Sequence, residues 1–99
     1  MVKVLVVDDD PGQRAIVSAI LSAEGYELFE ADSVAKALES IEENQPDVVL
    51  TDLKMPQKGG LALIEDLSKR PRRPEIIVIT AFGSIETAVK AMRLGAYDY

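Results

Sequence analysis

A doubly wound parallel α/β sheet with strand order 2-1-3-4-5 is the fold this sequence predicts, and three observations carry it. The runs at 4–7, 48–50 and 76–79 are β-branched or leucine-rich and apolar at every position, the pattern of strands buried on both faces. Four other segments repeat apolar residues at i, i+3, i+4 and i+7, the spacing of amphipathic helices. Strand and helix alternate along the chain, which gives right-handed βαβ units.

The elements follow in order. The first strand, 4–7, runs directly into Asp8, Asp9 and Asp10. The first helix carries the stripe Ile16, Ala19, Ile20 and Ala23. Asp10 is placed as its N-cap, Pro11 at the first helical position and Gln13 at the capping-box position, and Gly25 ends it. The second strand, 26–31, has Glu27 and Glu30 among its apolar residues, which places it at the edge of the sheet, where one side meets water. A second helix is read from Val34, Ala37, Leu38 and Ile41; the third strand, 48–51, then ends at Asp52. A third helix follows on Gly60, Leu63, Ile64 and Leu67, and the proline-bounded turn at 70–74 leads into a fourth strand that ends at Thr80. The fourth helix begins at Ser84 on Ile85, Ala88, Val89 and Met92; Glu86 in its first turn and Lys90 and Arg93 near its end suit the helix dipole before Gly95. Residues 97–99 open a fifth strand.

Crossover handedness puts the first helix on one face of the sheet and the next three on the other, and a helix after the fifth strand would join the first. The chain stops short of it. The flank of the first helix is therefore expected to leave an apolar patch open to homodimer formation or strand exchange. Residues 1–99 read as one domain, incomplete at its C-terminus.

Composition narrows the chemistry. The net charge of −6 argues against direct nucleic-acid binding by this segment, since phosphate binding needs clustered Lys and Arg. Neither cysteine nor histidine is present, so disulfides, thiolate metal sites and imidazole bases are excluded. No window approaches membrane-spanning length and no leader is evident, so a cytoplasmic setting is expected.

In an open parallel sheet, ligands sit beyond the carboxyl ends of the strands where the winding reverses, here between the first and third strands. Those strands end at Asp8, Asp9 and Asp52. With no base in sequence reach, their mutual repulsion would raise their pKa values unless a cation balances them. Mg²⁺ suits such an all-oxygen site, because it takes one or two carboxylates together with water and a phosphate oxygen. A carboxylate can attack phosphorus, and Asp52, alone at the end of a central strand, is the best nucleophile. Thr80 could then hydrogen-bond a phosphoryl oxygen. Taken singly, Asp10 reads better as a helix cap, and an isolated loop carboxylate is usually just solvated.

At 6–10, 52–56, 79–81 and 95–99 the chain resembles the receiver domain of two-component response regulators, a family with a flavodoxin-like fold. The resemblance implies that Asp52 is the phosphoacceptor, that Asp9 binds Mg²⁺ directly and Asp8 through water, and that the main-chain carbonyl of Lys54 is a further ligand. It implies that Thr80 and Tyr99 form a coupled switch pair, with a sensor histidine kinase and output domains of a parent regulator as partners. It also implies no turnover enzyme but a domain that catalyses its own aspartyl phosphorylation and dephosphorylation. The family's lysine of the fifth strand would lie beyond Tyr99. The segments 83–88 and 96–99 are similar to receivers of the nitrogen-regulatory, enhancer-binding class, whose regulators control transcription.

Two rival readings come from the same residues. Asp8 and Asp10 form an Asp-x-Asp pattern like that of haloacid-dehalogenase-type phosphatases, but Gly12 stands where that family has threonine. A phosphorylation-independent interaction module keeps the fold without the chemistry. An FMN site is disfavoured, because three successive aspartates would repel its phosphate.

Overall fold

The computed structural model describes residues 2–52, 59–71 and 74–78. Among them β1 (Lys3–Val7), α1 (Pro11–Ala23), β2 (Glu27–Ala31), α2 (Val34–Asn44), β3 (Val48–Thr51), α3 (Gly60–Ser68) and β4 (Glu75–Val78) follow one another. The four strands are parallel in the order β2-β1-β3-β4, as expected for the first four positions. The fourth helix, the fifth strand, Ile79 and Thr80 lie outside the described residues.

Period-2 alternation divides the strand side chains between two helical layers. Leu5, Val7, Val49, Ile76 and Val78 pack with Ala37 and Ile41 of α2 and Leu63, Ile64 and Leu67 of α3. Val4, Val6 and Leu50 form a smaller cluster on the opposite face, against Val17 and Leu21 of α1. This is the division that crossover handedness requires. β2 is the outermost strand, with Glu27 and Glu30 exposed.

The ends of α1 show how local chemistry sets its limits. Asp10 Oδ1 accepts the N–H groups of Gly12 and Gln13 at 2.9 and 3.2 Å, with Pro11 at the first helical position. The capping box itself is only half made: the Asp10 N–H donates to Asp8 Oδ1 at 3.0 Å, so a charged carboxylate takes the place expected for the Gln13 side chain. At the other end Gly25 has φ 93°. Its N–H reaches the Ser22 carbonyl and that of Tyr26 the Leu21 carbonyl, at 3.0 and 3.4 Å, a Schellman arrangement that needs the left-handed glycine. Tyr26 thus belongs to this turn, and β2 starts one residue later than its apolar run suggested.

The stripe expected to seat the first helix is corrected by the structure. Ile16 and Ile20 are 58% and 61% exposed, and Ala19 and Ala23 are exposed with them. The adjacent arc, Val17, Ser18 and Leu21, faces the sheet instead. Two overlapping stripes fit the periodicity, and the sheet takes only one of them.

Candidate metal centre

Register places the acidic residues. Val7 lies opposite Thr51 in the β1–β3 ladder, and the Asp52 N–H continues that ladder to the Val7 carbonyl at 3.1 Å. The Asp8 N–H extends the β1–β2 ladder to Ala31 O, also at 3.1 Å. Both acids are therefore one rung past adjacent strand ends. Alternation turns them to the same face as Val6 and Leu50, where a small cleft is lined by Asp8, Asp52, Gln13 and Val17. Thr51 Oγ1 donates to the Asp52 carbonyl at 3.0 Å and steadies that turn.

One carboxylate oxygen from each of Asp8, Asp9 and Asp52 lies within 4.8 Å of the others. Asp8 is buried, Asp52 half-buried and Asp9 exposed. Like charges about 4 Å apart near a protein surface repel by roughly 4 kcal/mol before solvent screening, so the trio calls for a counter-charge. The Asp8 carboxyl registers the strain: its pKa is raised above 3.8, first by burial and then by the charges of Asp52, Asp9 and Asp10, against the lowering effect of the Asp10 N–H. Every donor is a hard carboxylate oxygen, the set that divalent cations such as Mg²⁺ prefer. The residues present fit such an ion.

Asp10 does not share this duty, since its side chain caps α1; that is the plainer of its two readings, and it weakens the Asp-x-Asp phosphatase pattern. Lys54, Thr80 and Tyr99 lie outside the described residues. One residue escaped the sequence reading. Arg14 Nη1 donates to the Asp8 carbonyl at 2.7 Å while its Nε donates to Glu30 Oε1 at 3.0 Å, so a base does come within reach of the site. Its only sequence signal was an arginine in the first turn after three aspartates.

A larger groove, about 740 Å³, opens at the opposite edge of the sheet beside Lys3, Glu42, Asp47 and Arg70. Those groups already serve one another: Arg70 pairs with Glu42, and the Lys3 N–H donates to Asp47. Among the described residues no helix is long and apolar enough to cross a membrane.

Comparison with known proteins agrees with the geometry. The model of the response regulator receiver domain matches residues 4–99. Regulatory protein AtoC of Escherichia coli K12 is 35% identical over 97 residues, covering 98% of this chain and 21% of AtoC. Transcriptional regulatory protein ZraR of the same organism is 37% identical over 98 residues, covering 99% of this chain and 22% of ZraR. The chain thus spans about a fifth of the length of these regulators. The crystal structure of a CheY-like response regulator receiver domain protein from Methanospirillum hungatei JF-1 superposes with a TM-score of 0.92 at 31% identity, over 100% of this chain and 79% of that one. With fold, acidic strand ends and relatives in agreement, the chain belongs to the response regulator receiver domain family.

Proposed function

We propose that this domain accepts a phosphoryl group on Asp52 from the phosphohistidine of a sensor kinase and so switches the output of a parent transcription regulator. The observation that supports it is the convergence of Asp8, Asp9 and Asp52 within 4.8 Å at the carboxyl edge of the sheet. A carboxylate oxygen of Asp52 attacks phosphorus; the P–O bond forms as the P–N bond to the kinase imidazole breaks, and the imidazole leaves with a proton from solvent. Mg²⁺ held by Asp8, Asp9, Asp52 and the Lys54 carbonyl would supply charge neutralisation on the transferring oxygens. Asp8, buried and hydrogen-bonded to the Asp10 N–H, orients the acidic turn. Asp9, exposed, closes the site from the solvent side.

Water later cleaves the acyl phosphate in this reading, so the domain labels once per activation rather than turning over a substrate. Thr80 and Tyr99 serve as the switch pair, biasing an equilibrium between two surface conformations. The setting is cytoplasmic.

The test is intact-mass measurement after incubation with acetyl phosphate and Mg²⁺. A single phosphoryl adduct that disappears in Asp52→Asn and in excess chelator is the expected result. The absence of any adduct, both here and in a form extended past Tyr99 through the next helix, would favour the phosphorylation-independent interaction module. Sustained hydrolysis of an aryl phosphate would favour the phosphatase.

A further inference from the structure

We infer that Arg14 is a positioning residue of the acidic site, holding the Asp8–Asp9 peptide so that both carboxylates meet the same cation; this rests on the proposed metal site. The guanidinium is a fork. One arm donates to the main-chain carbonyl of Asp8 at 2.7 Å, and Nε is anchored on Glu30 of the edge strand at 3.0 Å. The arginine side chain is only 20% exposed, so the contact is partly shielded from water and its geometry is held.

The bond acts on a residue already held at its amide and at its side chain. The Asp8 N–H is tied to Ala31 O and the Asp8 carboxylate accepts the Asp10 N–H. The Asp8 carbonyl is the remaining handle on the peptide that carries Asp9, whose side chain is exposed and lacks the packing that seats Asp8. Fixing that carbonyl fixes the direction in which the Asp9 carboxylate leaves the backbone. Outer groups that orient ligands in this way typically change metal affinity about 10- to 100-fold when replaced.

Charge and position predict opposite signs, which makes the inference testable. Arg14 is a cation beside a cation site, so by charge alone Arg14→Gln would tighten Mg²⁺ binding; as a positioning residue its loss weakens binding. Calorimetric Mg²⁺ titration of the wild-type chain, R14Q and R14K at fixed ionic strength, with melting curves in chelator, separates the cases. The expected result is Mg²⁺ binding weakened about tenfold in R14Q. R14K is weakened too, because lysine keeps the charge but cannot span both acceptors, and it carries the test alone should R14Q fail to fold. A purely structural arginine would lower the melting temperature in chelator and leave the affinity of the folded protein unchanged. Affinity equal to or tighter than wild type in the folded variants overturns the role of Arg14, whereas a wild-type chain that binds no Mg²⁺ overturns the metal site beneath it.

Discussion

The two faces of the sheet are drawn from the same strands but are sealed to different degrees. On the α2–α3 face, Leu5, Val49, Leu63, Ile64 and Leu67 have no exposed area at all. On the α1 face, Leu50 keeps 8% exposure, Val17, Leu21 and Ile77 are only partly buried, and Ile16 and Ile20 stand in solvent. The first face has two helices over it and the second has one among the described residues. Stability should therefore be concentrated on the first face, while the second holds apolar area in reserve for another surface.

Equal truncations on each side put that difference to the test. Leu63→Ala should cost about 3 kcal/mol in urea unfolding, the usual penalty for a cavity in a closed core. Leu21→Ala, half-buried where α1 meets the sheet, should cost about half as much. Equal losses would break the contrast.

Ser18 sharpens it from the other direction. Its Oγ is buried against the α1 face without a hydrogen-bond partner among the described residues. Ser18→Ala should raise stability by about 1 kcal/mol, the cost of an unsatisfied hydroxyl, seen as a rise in the denaturant midpoint. An unchanged or lower midpoint would mean that the hydroxyl is satisfied in solution.

A smaller gain is expected at the edge where the two faces meet. Because the folded-state pKa of Asp8 is raised above 3.8, the folded chain binds this proton more tightly than the unfolded chain does. Its contribution is fully present below about 3.8 and is lost as pH rises through the raised value, leaving a net cost at neutral pH. Asp8→Asn should thus melt a few degrees higher at pH 7 in chelator, should gain nothing at the acid end of that window, and should lose Mg²⁺ binding. Melting curves at the two pH values check the sign.

The smallest effect belongs to the exposed pair. Replacing Ile16 and Ile20 with serine should change stability by less than about 0.5 kcal/mol each. If self-association runs through this flank, light scattering should show it reduced in the double variant.

Much of this architecture was legible because it rests on patterns with one physical solution. Strands apolar at every position must be covered twice, and alternating elements then fix the handedness and the order of the sheet. Asp8 and Asp52 were readable for the same reason, as both end strands that the topology makes neighbours. What escaped had no unique signature. Ile16 with Ile20 and Val17 with Leu21 satisfy the same helical period, and only the seating of α1 on β1 and β2 chooses between them. Arg14 acts on a main-chain carbonyl, an acceptor that every residue owns. Gln13 sat correctly for a capping box, yet the Asp8 carboxylate, nearer and charged, took the Asp10 N–H.

Since Asp8 and Asp52 each stand one position past Val7 and Thr51, which face each other in the β1–β3 ladder, the gap between their backbones is inherited from the lateral spacing of β-strands, about 4.8 Å. The intervening connections have no say in it. Insertions or deletions in the segments after either aspartate would alter who approaches the site and how fast, while the span offered to an ion stayed as constant as the lattice of the sheet itself.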